Sequence, residues 1–251
     1  TVGFRGEVAD DLVAGCGLGG GEARRMGGGD KGLALLGGRP LLDHVIARLA
    51  PQAGAMALSA NGEPARFARW GLPVLADAAT SGRPQARAGE ARAGEARAGE
   101  ARAGPLAGIL AALDWAAARG EAQVATAPWD TPFLPGDLLA RLAEAAEASG
   151  APVALACGPD PERAEGALHP AVGLWSTALR EDLRAALAQG TRRVRGWAAG
   201  RGFARVRFEA GAQAGVPDPF FNINTPADMA LAERLWRAHL AVRSAAGKDE
   251  A

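Results

Sequence analysis

Along this chain, short apolar runs alternate with longer stretches in which apolar positions recur every three or four residues. The short runs are AMALSAN (55–61), PVLAD (73–77), QVATAPWD (123–130), PVALACG (152–158), PAVGLWS (170–176) and ARVRFEA (204–210). Most are nearly continuous, as strands covered on both faces are; the last alternates, as an edge strand does. Between them, PLLDHVIARL (40–49), PLAGILAALDWAAARG (105–120), PGDLLARLAEAAEASG (135–150) and TPADMALAERLWRAHLAVR (225–243) read as helices. Two of these stop at a glycine, and the last begins with Thr225 as N-cap, Pro226 at the first helical position and Asp228 at N3. Alternation of this kind predicts crossovers and a mainly parallel, Rossmann-like sheet in a three-layer α/β/α sandwich. Ligands in such folds bind at the carboxyl ends of the strands.

One segment breaks the pattern. Residues 86–105 repeat ARAGE in tandem, with a five-residue period that suits neither a helix nor a strand. The tract reads as a solvated, poorly ordered insertion in a single domain spanning 1–251, with 244–251 as a flexible tail; the other reading is a lid over a site.

With 251 residues, 48% of them apolar, the chain can bury a full core. Its 28 basic and 28 acidic residues balance, which leaves no electrostatic footprint for nucleic acid or an anionic membrane surface. No apolar run is long enough to span a bilayer, and the first residues lack the basic and apolar regions of a secretory signal, so a cytoplasmic protein is expected. Cys16 and Cys157, far apart, suit free thiols better than a zinc site. His44 and His239 fall on helical patterns as packing or surface residues, and no His–carboxylate pair is evident.

Three stretches carry candidate chemistry. In LGGGEARRMGGGDKG (18–32), bare backbone is flanked by Arg24, Arg25 and Lys31, a combination that suits a polyphosphate. Gly32 stands where a P-loop needs Ser or Thr, so that motif is excluded. In APWDTPFLPGDL (127–138), an apolar strand runs into Asp130 and then turns away. A carboxylate there is either a Mg²⁺ ligand or a turn residue. In FFNINTPADM (220–229), Asn222 and Asn224 share one side of an extended segment leading into a helix. Asn224 and Thr225 could simply cap and turn, which leaves Asn222 without a structural role.

Taken together these stretches resemble the molybdenum cofactor guanylyltransferases. The family pattern L-A-G-G-x-S-x-R-M-G-x-x-D-K is similar to residues 18–31, with Gly19 for the usual alanine and Ala23 for the usual serine. GGRPLLDHVIARL (37–49), SAN ending at Asn61, VLAD ending at Asp77, GPLAGILAAL (104–113), WDTPFLP (129–135), His169-Pro170 and FNINTPADM (221–229) also match, in order. The family leads into its loop from a hydrophobic strand; here DDLVAGCG (10–17) is short and broken by glycine.

The resemblance implies an enzyme that transfers GMP from GTP to the terminal phosphate of molybdenum-molybdopterin, releasing pyrophosphate. It implies GTP held at Leu18, Gly19, Gly20, Gly21, Asn61 and Asp77, with Arg25 and Lys31 on the triphosphate and Asp130 on Mg²⁺. His169, Asn222 and Asn224 fall on the pterin side. Molybdenum-insertion proteins and molybdoenzyme chaperones are the protein partners implied. Competing readings are a cytidylyltransferase using the same pterin, a sugar-phosphate nucleotidyltransferase, and a non-catalytic nucleotide- or pterin-binding adaptor.

Overall fold

The computed structural model describes residues 12–19, 31–77, 104–210 and 218–246, with only the backbone for 12–19 and 241–246. Gly20, Gly21, Arg25 and the repeat through residue 103 lie outside the described residues, as do residues 247–251.

Strand β1 (Leu12–Gly19) forms despite its glycines, because its neighbours supply the ladder. It pairs in parallel with β4 (Ala57–Ala60) on one side and β6 (Gln123–Pro128) on the other. The register shifts between Val13 and Cys16, so the glycine-broken stretch is taken up as an irregularity within the strand. Leu18 and Gly19 are strand residues opposite Ser59 and Ala60, not the start of a loop.

The remaining strands complete a 7-stranded sheet in the order β5-β4-β1-β6-β8-β7-β9. Strand β5 is Val74–Leu75, β7 is Val153–Gly158, β8 is Ala167–Ser176 and β9 is Ala204–Arg207. Strand β8 runs antiparallel to both β6 and β7, so the sheet is mixed. It begins at Ala167, which puts His169 and Pro170 inside the strand and not ahead of it. A small hairpin, β2 (Leu35–Leu36) and β3 (Arg39–Pro40), was not legible from periodicity because its strands are two residues each.

Alternate strand residues point to opposite faces, and each face has its own core. On one, Val124, Val153, Leu155 and Trp175 pack with helices α2 (Pro105–Ala118), α4 (Arg180–Ala188) and α5 (Val194–Ala199). On the other, Ala125, Ala127, Ala154, Ala156, Val172 and Leu174 meet α1 (Leu41–Leu49) and α3 (Leu138–Ser149). Helix α2 is buried on nearly every side, from Leu106 through Leu113, because its alanines and Gly108 let it lie between the sheet and α4. Helices α4 and α5 were not anticipated; their buried positions, Leu183, Ala186, Leu187, Val194 and Trp197, are spread among arginines.

The last helix, α6 (Pro226–Ala246), starts where its cap signals place it. Thr225 Oγ1 accepts from Asp228 N at 3.1 Å while Asp228 Oδ2 accepts from Thr225 N at 2.8 Å, a reciprocal cap. It runs to Ala246, three residues into the segment expected as a tail. None of the described helices is long and apolar enough to cross a membrane.

Thr126, a buried polar residue of β6, is paired across strands. Trp175 Nε1 donates to Thr126 Oγ1 at 2.9 Å, and that hydroxyl donates to Ala171 O at 3.0 Å. Replacing Thr126 with Val keeps the shape but strands a buried indole N–H and a carbonyl. Urea unfolding of Thr126→Val should show stability lowered by about 1–3 kcal/mol with an unchanged m-value.

Candidate functional site

One edge of the sheet collects the candidate residues. Asn61 follows β4, Asp77 lies two residues beyond β5, and Asp130 lies two residues beyond β6. Because β8 runs the other way, its first half lies at this same edge: His169 is opposite Ala156, two residues before the end of β7. Residues 218–224 cross the edge before α6, and Ile223 N donates to Asp130 O at 2.9 Å.

Asp130 is the centre of the arrangement. Its Oδ2 lies 3.2 Å from Lys31 Nζ, and the same ammonium donates to Asn224 Oδ1. Asn224 Nδ2 in turn donates to Asn222 Oδ1 at 2.7 Å, so the two asparagines do share a side. Among the described residues, Asp130 Oδ1 is buried without a hydrogen-bond partner. Burial raises the carboxyl's pKa above its ordinary 3.8; the Lys31 ammonium opposes this without cancelling it. An under-coordinated buried carboxylate oxygen suits a hard cation. Among the described residues no cluster of three or more His, Cys, Asp or Glu could hold a metal unaided.

Gly32 explains how Lys31 reaches this point. A Cβ on Gly32 would lie 2.5 Å from the ring of Trp129, whose side chain is buried under Phe67 at a 5.0 Å ring separation. The residue that disqualifies a P-loop thus lets the 31–33 turn lie flat on the residue preceding Asp130.

Asn61 and Asp77 form a reciprocal pair. Asn61 Nδ2 donates to Asp77 Oδ2 at 2.6 Å, and Asp77 N donates to Asn61 Oδ1 at 3.2 Å. Ser59 Oγ adds a 3.3 Å bond to Asp77 Oδ1, and Arg66 donates to Asn61 O at 2.6 Å. The structure therefore brings together Lys31, Asp130, Asn222 and Asn224 in one cluster and Asn61 with Asp77 in another. Leu18 and Gly19 lie between them, at the end of β1.

His169 does have a carboxylate opposite it, contrary to the sequence expectation: Asp218 Oδ2 is 3.9 Å from Nε2. Burial lowers the imidazole pKa, Asp218 raises it, and burial prevails. The ring packs on Phe220 at 4.8 Å. Asp218 was missed because the pair is distant in sequence; the local signal was the Asp two residues before Phe220, whose Oδ1 accepts from Phe220 N at 2.8 Å. His44 and His239 are buried packing residues, and His44 is bonded to Leu36 O at 2.9 Å.

The MobA-like NTP transferase domain matches residues 15–88 and 96–204. This chain belongs to the MobA-like NTP transferase family. The matched segments stop and resume within the ARAGE repeat. A molybdenum cofactor guanylyltransferase from Cereibacter sphaeroides is 48% identical over 222 residues, 88% of this chain and 95% of the relative. Another, from Mesorhizobium japonicum, is 44% identical over 228 residues, 90% of this chain and 97% of its own. Among solved structures, molybdopterin-guanine dinucleotide biosynthesis protein A from Archaeoglobus fulgidus superposes with a TM-score of 0.64 at 22% identity. That match covers 90% of this chain and 98% of the other. The 2-C-methyl-D-erythritol 4-phosphate cytidylyltransferase from Thermus thermophilus gives 0.54 at 24% identity, over 82% of this chain and 94% of that one. At these identities the family shares its fold with nucleotidyltransferases.

The raised carboxyl has a measurable signature. A folded-state pKa above the unfolded one means that the folded protein binds the extra proton. Stability then falls as pH rises from 3.8 through the raised value and levels off above it. In magnesium-free buffer, the melting temperature of the wild type relative to Asp130→Asn should decline across that window. Lys31→Met removes the opposing cation and should extend the decline to higher pH.

Proposed function

We propose that this protein transfers GMP from GTP to the terminal phosphate of molybdenum-molybdopterin, forming the guanine dinucleotide cofactor and releasing pyrophosphate. The observation that carries the reading is the convergence of Lys31, Asp130 and Asn224 at the carboxyl end of β6. The relatives so named, similar over most of their length, support the same activity.

In this reading the nucleotide lies across the carboxyl ends of β1, β4 and β5. The base meets Leu18, Gly19, Asn61 and Asp77. The triphosphate runs over Gly20 and Gly21 toward Arg25 and Lys31. Because Asn61's amide is already engaged by Asp77, the Asp77 carboxylate is the acceptor left for base donors. The pterin approaches from the other side, past His169, Asn222 and Asn224.

A phosphate oxygen of molybdopterin attacks the α-phosphorus in line, and the bond to the pyrophosphate oxygen breaks. The nucleophile is already anionic, so no general base is needed, and His169, neutral through burial, is not asked to supply one. Lys31 leaves its resting contacts with Asp130 and Asn224 to neutralise charge on the phosphates. Asp130 would hold Mg²⁺, which when bound supplies charge neutralisation at the phosphates. The finer fold reading, a three-layer sandwich of the nucleotide-diphospho-sugar transferase type, belongs with this proposal. So do a cytoplasmic setting and exchange with molybdenum-insertion proteins and molybdoenzyme chaperones.

With purified molybdenum-molybdopterin and Mg²⁺, pyrophosphate release should occur with GTP and be at least about a hundredfold slower with CTP. Equal rates, or a preference for CTP, would reassign the base. Asp130→Ala and Lys31→Ala should each lower turnover by about a thousandfold or more while circular dichroism shows the fold intact. Full activity in either variant would remove that residue from the site.

A further inference from the structure

The segment 218–224 carries both asparagines, yet none of it is helix or strand. Its far end is fixed twice: Ile223 N is held by Asp130 O, and Asn224 N is held at 2.9 Å by Asp228 Oδ2 of the α6 cap. Its middle is anchored by Phe220, fully buried between His169 at 4.8 Å and Phe208 at 5.3 Å. An aromatic anchor fixes depth but leaves the chain free to rotate about it.

The near end supplies the missing constraint. Asp218 closes a turn on itself, with Oδ1 accepting from Phe220 N at 2.8 Å and its own carbonyl accepting from Phe221 N at 3.1 Å. The same carboxylate is seated against β7 and β8. A Cβ on Gly158 would stand 2.7 Å from Asp218 Oδ1 and 2.9 Å from His169 Nε2, so only a glycine lets the two approach. Asp218 Oδ2 faces that imidazole nitrogen, which is buried without a hydrogen-bond partner among the described residues.

We propose that Asp218 is a positioning residue for the second substrate: wedged between Gly158 and His169, its carboxylate sets the turn that presents Asn222 and Asn224. Asp218 touches no reacting atom in this scheme. It acts through the backbone of residues 220–224, and the inference rests on the reading that the two asparagines serve the pterin. The nucleotide side, held by β1, β4 and β5, does not depend on it.

The test is steady-state kinetics with GTP and molybdenum-molybdopterin on Asp218→Ala, Asp218→Asn and Gly158→Ala, each checked by circular dichroism. Asp218→Ala should raise the KM for molybdenum-molybdopterin about tenfold, leaving the KM for GTP within about twofold. Asp218→Asn keeps an oxygen for Phe220 N–H and should bring that KM back to within about threefold of wild type. Gly158→Ala, which crowds the Asp218 carboxylate while leaving the sequence of residues 218–224 unchanged, should reproduce the alanine phenotype. Equal increases for both substrates, no increase, or an asparagine variant as impaired as alanine would overturn the proposal. If Asp218→Ala does not fold, an unchanged pterin KM in Gly158→Ala overturns it alone. A wild-type protein that releases no pyrophosphate from GTP and the pterin would defeat the functional reading itself, before any variant is compared.

Discussion

A carboxylate at the end of a buried central strand has lost most of its water and must be neutralised by something other than solvent. In this chain that demand falls on Lys31, which lies 99 residues before Asp130 in the sequence. The ammonium also takes Asn224 Oδ1, and Asp130's own carbonyl takes Ile223 N. One desolvated charge therefore fastens the segment after β1, the turn after β6 and the entry to α6 to one another. Remove the charge and Lys31 loses its anchor on the turn after β6, leaving the backbone bond from Ile223 to Asp130 O as the remaining tie there.

Around that point the sheet does the placing. Parallel pairing of β1 with β4 and β6 brings three strand ends to one edge, and the reversed β8 brings His169 to it from the other direction. The two clusters at the edge have different internal chemistry. Asn61 and Asp77 satisfy each other reciprocally, whereas Asp130 Oδ1 has no hydrogen-bond partner among the described residues. A group fully bonded at rest suits recognition by shape and residual lone pairs; an under-bonded one suits binding a cation.

Much of this was legible in the sequence. Runs such as VALACG and QVATAP announced buried strands because all but Gln123 are apolar or small, and Thr225-Pro226 with Asp228 announced the start of α6. Asp130, Asn222 and Asn224 could be singled out because each breaks an apolar run at a strand end or precedes a helix. What local pattern could not carry was direction and partnership. A strand reads the same whether it runs up or down, so β8's reversal was invisible. The His169–Asp218 approach depends on a missing side chain at Gly158, and Lys31's reach depends on another at Gly32. The glycine-broken LVAGCGLG stretch looked too weak for a strand because its ladder is provided by β4 and β6, which no window around it contains.

The two outermost strands have a meaning for the protein's life in a crowded solution. Strand β5 is two residues long, and β9 is four, with Arg205 and Arg207 at alternate positions. An exposed sheet margin is a template on which another chain can add a strand, and the hazard grows with its length and apolarity. Here one margin is too short to template anything and the other presents guanidinium groups, Arg207 paired with Glu209 at 2.7 Å. A sheet whose interior strands are almost wholly apolar is thereby kept from growing sideways into aggregates.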